Sequence, residues 1–99
     1  MRLPKPLSFQ WDKGNIDKNF KKHNLTNKET EEIFCNKYLK TFKDVKHSQK
    51  ENRFVALGVT DKKRMLYVVF TIRDQKIRII SARDVSKKER RFYEKTKTN

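Results

Sequence analysis

The chain has 99 residues and a formal net charge of +14, with 26 Lys and Arg against 12 Asp and Glu. This length suits one small domain with a thin core, and the periodic spacing of the apolar residues argues against disorder although 38% of the residues are charged. A single cysteine excludes an intrachain disulfide, which fits a reducing compartment. No apolar run approaches the roughly 20 residues of a membrane span, and no apolar stretch of the kind found in a signal peptide follows the basic N-terminus. We therefore expect a soluble cytoplasmic protein.

The first elements predicted along the chain are a short strand and a helix. Residues 7–11 alternate apolar and polar side chains, which is typical of a strand. Asp12 is a candidate N-cap for a helix that ends near His23. Ile16 and Phe20 are four residues apart, and we expect them to form the narrow buried face of this helix.

A second helix is predicted directly after the first. Asn24 is a candidate left-handed stop, because asparagine tolerates positive φ better than most residues. Thr26 and Glu29 have the spacing of a capping box, which predicts a helix that runs to about residue 36.

The second half of the chain predicts four strands and a last helix. The strands are expected at residues 38–46, 53–60, 64–73 and 76–83, with a polar loop at 47–52. Ser86 and Glu89 have the spacing of another capping box and predict a helix to about Lys95. We expect Phe92, and to a lesser extent Tyr93, on its buried face.

The predicted order is β-α-α-β-β-β-β-α, which indicates an α+β fold. Short turns between successive strands are typical of an antiparallel β-sheet, here of four to five strands, with the flanking helices segregated to one side. The whole chain, residues 1–99, is then a single domain with an extended lead-in at 1–6 and a frayed tail at 96–99.

The strand predicted at 64–73 has two different faces, because successive side chains point to opposite sides of a sheet. One face is uniformly apolar and is expected to contact the helices: Leu66, Val68, Phe70 and Ile72. The other face is mixed and is expected to line an open side of the sheet: Tyr67, Val69, Thr71 and Arg73.

The excess of cations predicts a polyanionic partner, and nucleic acid is the first candidate because each neutralised phosphate releases counterions. The sequence contains no glycine-rich phosphate loop, no nucleophile motif and no zinc-binding spacing. Arg, Lys, His and Tyr side chains can cleave RNA without metal, if a base takes the 2′-hydroxyl proton and a cation stabilises the phosphorane. Composition alone does not separate such a nuclease from an RNA-binding module.

Several blocks of sequence resemble the BrnT family of bacterial type II toxins, which share a RelE-like ribonuclease fold. The blocks are F-Q-W-D at 9–12, K-H at 22–23, H-S at 47–48, N-R-F at 52–54, I-R-I-I-S-A-R at 77–83 and E-R-R-F-Y at 89–93. The last two are the most specific, and the blocks together cover about residues 8–94. The chain departs from the family at Asn24, where glycine is usual, and at Asp84, where a second basic residue is common.

The resemblance implies a ribonuclease that stops translation by cleaving mRNA, either free or on the ribosome, in the bacterial cytoplasm. It implies an antitoxin of the BrnA type as partner, and contact with operator DNA only through that antitoxin. It implies no metal or other cofactor and no membrane association.

Under this resemblance, five residues are candidates for catalysis: Arg83, His47, Arg53, Arg73 and Tyr93. Arg83 lies between a strand and a capped helix, and its guanidinium fork is the first candidate for binding phosphate; an ion pair with Glu89 is the alternative. His47 in the polar loop or Tyr93 on the last helix would transfer protons. Plain surface exposure of His47 and packing of Tyr93 on the sheet are the alternatives.

Five further cations are candidates for RNA binding: Arg78, Lys87, Lys88, Arg90 and Arg91. The four on the last helix would follow the RNA backbone or contact an acidic antitoxin, and a solvated helix face is the alternative. RNA would lie on the open sheet face. Two other functions fit the sequence, namely a non-catalytic RNA-binding module and a degenerate toxin that only binds its antitoxin.

Overall fold

A computed structural model of the protein describes residues 2–97 and contains five strands and three helices. The strands are β1 (Phe9–Gln10), β2 (Lys40–Lys43), β3 (Phe54–Val59), β4 (Met65–Arg73) and β5 (Lys76–Asp84). The helices are α1 (Lys18–His23), α2 (Asn27–Glu32) and α3 (Lys87–Lys97), and a 3₁₀ turn covers Val45–His47. The predicted order of elements is therefore confirmed. Within residues 2–97, no helix has the length and apolar character needed to cross a membrane.

The ends of the chain differ from the prediction in one respect. The last helix continues to Lys97, so two residues that we assigned to a frayed tail are helical. Residues 98 and 99 of that predicted tail, and Met1 of the lead-in, lie outside the described residues.

The five strands form one sheet in the order β1-β5-β4-β3-β2. The four strands β2 to β5 are antiparallel neighbours, as their short connections predict. The N-terminal strand β1 joins the outer edge of β5 and runs parallel to it, with Phe9 opposite Ile77. The sheet is therefore mixed, and the expectation of a purely antiparallel sheet is wrong at this edge.

The predicted apolar face of β4 is the centre of the main core. Leu66, Val68 and Phe70 are fully buried, and they pack against Ile33 and Phe34 from the end of α2. The rings of Phe34 and Phe70 meet edge to face, with centroids 5.2 Å apart. This side of the sheet is covered by the segment that contains α1 and α2, as the alternation of apolar residues predicts.

The last helix lies on the opposite side of the sheet, so the expectation that the helices share one side is wrong. Tyr93 on α3 is fully buried and belongs to a second apolar cluster with Leu57 and Met65. These two residues alternate with the main-core residues along their strands and point to the other face. Phe92 is 49% exposed, because the next residue on a helix points about 100° away from it.

The helix α1 begins at Lys18 and not directly after Asp12, as we predicted, and a turn at residues 13–17 precedes it. This turn and α1 contact the sheet through asparagine side chains and not through their apolar residues. Ile16 and Phe20 are 46% and 50% exposed, which contradicts the buried face that we predicted from their spacing. Asn15 and Asn19 are each 3% exposed. The amide of Asn15 donates to the carbonyl oxygens of Gln10 and Ile79, and the side-chain oxygen of Asn19 accepts from the backbone N–H of Ala82.

These asparagines have a clear physical role at the edge of the sheet. The strand β1 pairs with only two residues of β5, so the outer edge of β5 beyond them has no neighbouring strand. Buried backbone groups without partners are costly, and the two amide side chains supply the missing hydrogen bonds. Polar residues are therefore buried where apolar ones were expected.

Candidate functional site

Three arginines lie together where β3 begins, β4 ends and β5 begins, and we call them the arginine cluster: Arg53, Arg73 and Arg78. The antiparallel register of β4 and β5 brings Arg73 and Arg78 close together, since Arg73 pairs with Lys76, and Thr71 pairs with Arg78. Thr71 donates its hydroxyl to the carbonyl oxygen of Asn52 over 2.7 Å, which ties the loop before Arg53 to β4.

Two carboxylates hold two of these arginines in place. Arg73 binds Glu51 through two hydrogen bonds of 3.0 and 3.1 Å, and Arg78 binds Asp12 through two of 2.7 and 3.1 Å. The hydrogen bond from Arg73 lowers the pKa of Glu51, and the bond from Arg78, followed by the N–H of Gly14, lowers the pKa of Asp12. Both carboxylates are therefore ionised at neutral pH and cannot donate a proton there.

Arg53 is the cation of the cluster that no carboxylate holds. Within residues 2–97 its guanidinium has neither an ion pair nor a hydrogen bond, whereas its backbone N–H donates to the hydroxyl of Ser48 over 3.0 Å. The charges of Arg53 and Arg78 also lower the pKa of Glu51, although less than the hydrogen bond from Arg73 does. All three guanidinium groups thus act on one carboxylate, which makes the arginine cluster a single electrostatic unit.

His47 lies beside this cluster at the end of the 3₁₀ turn. Its Nδ1 atom is 2.9 Å from the Oδ2 atom of Asp44, and its side chain is 60% exposed. A carboxylate on one ring nitrogen orients the imidazole and leaves Nε2 for another partner. His47, Glu51 and Arg53 line the same shallow depression, which has a volume of about 390 Å³.

Arg83 lies at the other end of β5, opposite Tyr67 on β4. Its guanidinium forms two hydrogen bonds of 2.7 and 2.9 Å with Glu89 and covers the ring of Tyr67 at 4.1 Å from the ring centre. The ion pair with Glu89, which the sequence left as an alternative, is therefore present. Glu89 also accepts from the N–H of Ser86, so the predicted capping box of α3 is present as well.

The two groups share one face of the sheet but do not form one site. Tyr67, opposite Arg83, and Thr71, opposite Arg78, are four residues apart on β4, which places them on the same face and about 13 Å apart. Val69 and Ser81 lie between them and are half-buried. The structure thus brings His47 together with the arginine cluster and leaves Arg83 at a distance.

Tyr93 occupies a core position, whereas proton transfer would require an accessible hydroxyl. Its side chain is fully buried, and among residues 2–97 its hydroxyl has no hydrogen-bond partner. Desolvation by this burial raises the pKa of the phenol, which keeps it protonated. Packing against the sheet, the alternative for this residue, is the arrangement that the structure contains.

The remaining candidates lie on α3 and are exposed: Lys87, Lys88, Arg90 and Arg91. They give the first half of α3 four exposed positive charges. Within residues 2–97, no three His, Cys, Asp or Glu side chains converge in a group that could hold a metal ion.

Sequence reasoning missed the role of Arg64. Its guanidinium forms hydrogen bonds of 2.7 and 3.0 Å with Asp84, lies 3.5 Å from Glu29, and donates to the carbonyl oxygens of His23 and Asn24. Asp84 stands where the resemblance led us to expect a second basic residue, and its carboxylate binds Arg64 and not Arg83. No local pattern indicates a contact between residues 20 to 41 positions apart.

Comparison with known proteins agrees with the residues and motifs described above. Residues 11–89 match the family model described as a ribonuclease toxin, BrnT, of a type II toxin–antitoxin system. A comparison with curated proteins gave no match. The matched range includes His47, the arginine cluster and Arg83, and it extends over most of the chain. The chain therefore belongs to the BrnT family of ribonuclease toxins of type II toxin–antitoxin systems.

Proposed function

We propose that this protein is an endoribonuclease that cleaves RNA without a metal ion, through attack of a 2′-hydroxyl on the adjacent phosphodiester. The observation that carries the proposal is the position of His47 beside the arginine cluster, at one end of one sheet face. Guanidinium groups match phosphate oxygens with a rigid fork, and they stabilise the charge of a phosphorane without titrating.

His47 is the proposed proton-transfer residue of this reaction. The Asp44 carboxylate binds Nδ1, so Nε2 accepts the 2′-hydroxyl proton while the 2′-oxygen attacks phosphorus. The bond from phosphorus to the 5′-oxygen breaks, and that oxygen takes a proton from solvent. The products are a 2′,3′-cyclic phosphate and a 5′-hydroxyl. Arg53 is the proposed first contact of the phosphate, because no carboxylate must be displaced from it.

The RNA strand is proposed to continue along the same face toward Arg83 and the cations of α3. The family implies an RNA substrate and an antitoxin partner. We extend this to cleavage of mRNA that stops translation, and to a BrnA-type antitoxin that carries the contacts with operator DNA. The net charge of +14 supports both an RNA substrate and an acidic segment in the antitoxin.

The experiment that tests the proposal is cleavage of an end-labelled RNA in the presence of a chelator. We expect wild-type protein to cleave and to leave 2′,3′-cyclic phosphate ends, and a matched strand with 2′-deoxy sugars to stay intact. Cleavage that stops with chelator and returns with Mg²⁺ would contradict the proposal. Intact RNA with strongly salt-dependent binding, both with and without added ribosomes, would favour the non-catalytic alternative.

A second prediction concerns Glu89, whose carboxylate occupies the fork of Arg83 where a phosphate would bind. Glu89→Gln removes the charge, and glutamine can still serve in the capping box of α3. We expect tighter RNA binding, and a slope of log affinity against log salt that is steeper by about 0.7 if one more phosphate is contacted. Binding titrations over a range of salt concentrations measure both quantities.

Glu94→Gln is the matched control for this prediction. Glu94 is an exposed acid on the same helix, and its replacement changes the net charge by the same amount. Equal gains in the two variants would mean that general charge, and not release of Arg83, governs RNA binding.

A further inference from the structure

An aromatic groove lies between α3 and the sheet, on the face that carries the arginine cluster. It has a volume of about 410 Å³ and is lined by Phe42, Leu57, Tyr67, Lys88, Glu89 and Phe92. Phe42 is 39% exposed and Phe92 is 49% exposed. Their rings meet edge to face with centroids 6.1 Å apart, so the two rings form one exposed aromatic pair.

Neither of the two rings is buried, although each contacts the other. Tyr93 is the buried contact of the last helix with the sheet, and Phe92 lies to the side of it, against Phe42 of the edge strand. Phe42 lies on the edge strand β2, opposite Val55. Large apolar side chains that stay exposed beside a groove are typical of binding surfaces.

The charges around the aromatic groove favour an anionic occupant. Lys88 is part of the lining, and Arg83 covers the ring of Tyr67, which forms another part. The one acid of the lining, Glu89, is already bound to Arg83 by two hydrogen bonds. Flat apolar surfaces beside cations suit a nucleobase and its phosphate, because bases stack on aromatic rings while phosphates bind Lys and Arg.

We propose that the aromatic groove is a nucleobase-binding subsite, in which one base of the RNA strand stacks on the ring of Phe92 beside Lys88, while Phe42 holds that ring edge to face. This inference rests on the proposed function, since it uses the same sheet face for RNA. Tyr67 in the groove is about 13 Å along β4 from Thr71 at the arginine cluster. A base held in the groove would therefore fix which phosphodiester of the strand lies at His47, a few nucleotides away.

The test measures binding of a 2′-O-methyl RNA oligonucleotide, which cannot be cleaved by 2′-hydroxyl attack. We expect Phe92→Ala to weaken binding by about 5- to 150-fold, which corresponds to the stacking of one base. Phe42→Ala should weaken binding by less, because Phe42 contacts the ring of Phe92 edge to face and holds it in place. The salt dependence should stay the same, because neither variant removes a cation. Phe20→Ala is the matched control, since Phe20 is 50% exposed on α1 and outside the groove, and it should bind like wild type.

Oligonucleotides with a single abasic position distinguish stacking from a general effect on the surface. For wild-type protein, one abasic position should weaken binding, and the same position should cost the Phe92→Ala variant little. Unchanged RNA binding in both groove variants would overturn the proposal. So would weaker binding of the antitoxin with unchanged RNA binding, which would assign the groove to the protein partner.

The test of the nucleobase subsite can fail or succeed independently of the test of the nuclease mechanism. Base-dependent binding without any cleavage in chelator would reject the nuclease mechanism and retain the subsite. RNA cleavage by the wild type, together with unchanged RNA binding by the groove variants, would retain the nuclease mechanism and reject the subsite. Thermal unfolding of each variant shows whether it is folded, and both rings are exposed enough for the fold to tolerate their loss.

Discussion

Replacement of His47 by alanine should lower the rate of RNA cleavage by about 100- to 10,000-fold, the usual contribution of a positioned general base. Binding of RNA should change little, because the guanidinium groups of the arginine cluster remain. The expectation rests on the ionised state of Glu51 and Asp12, whose arginine partners lower their pKa values and engage their oxygens. His47 lines the same depression, and its Nε2 atom is left to exchange protons because Asp44 binds Nδ1.

Single-turnover cleavage measures the chemical step separately from RNA binding. The matched control is His23→Ala, which removes the other histidine of the chain from a position at the end of α1. Asp44→Asn should give a smaller loss, because an amide oxygen can still accept a hydrogen bond from Nδ1 and orient the ring, although less strongly than a carboxylate does. If His47→Ala cleaves at the wild-type rate while Arg53→Ala is inactive, proton transfer takes place elsewhere.

The order of the elements could be predicted because its signals are local. Alternating apolar residues mark β4, and the capping boxes that begin at Thr26 and Ser86 mark the starts of α2 and α3. The side of the sheet on which α3 lies could not be predicted in this way. It depends on whether Phe92 or Tyr93 points to the sheet, and adjacent aromatic residues give no local signal for that choice.

The burial of Asn15 and Asn19 could not be predicted from the sequence for a different reason. Helical periodicity ranks residues by hydrophobicity, so it selected Ile16 and Phe20 for the buried face of α1. The need of the β5 edge for hydrogen bonds reversed that choice. Such a need becomes visible only when it is known that β1 is too short to cover the edge.

The sequence pointed to the residues of the candidate site, but it did not indicate which of them lie close together. Arg73 and Arg78 lie on either side of a short turn, so antiparallel pairing alone brings them close. The carboxylates that hold them are 22 and 66 residues away in sequence. Arg83 has a nearer acid in Glu89, six residues away, and there the sequence did suggest the ion pair.

Replacement of Arg64 by alanine should destabilise the protein by about 2 to 3 kcal/mol, because several hydrogen bonds to charged and backbone groups are lost together. For a domain of this size, that loss lowers the midpoint of thermal unfolding by about 10 to 20 °C. Arg64 joins the end of β5, through Asp84, to the end of α1, through the carbonyl oxygens of His23 and Asn24. The control Arg91→Ala removes an exposed arginine from α3 and should change the midpoint little.

The effect of Arg64→Ala should also depend on pH, with a sign that follows from the carboxylates. The hydrogen bond from Arg64 lowers the pKa of Asp84. The N–H of Thr26, then its hydroxyl, and only then Arg64 lower the pKa of Glu29. A lowered folded-state pKa stabilises the fold above the unfolded-state pKa, and this stabilisation is lost as pH falls through the folded-state value. The difference between wild type and variant should therefore be largest at neutral pH and shrink below about pH 4.

Part of the difference should persist in acid, since the bonds from Arg64 to His23 and Asn24 end on carbonyl oxygens that do not titrate. Unfolding in denaturant at pH 7 and pH 3 measures both free energies of unfolding. A difference that is the same at the two values would mean that the carbonyl contacts alone account for the role of Arg64. The ion pair between Arg64 and Asp84 would then contribute nothing to the free energy of unfolding.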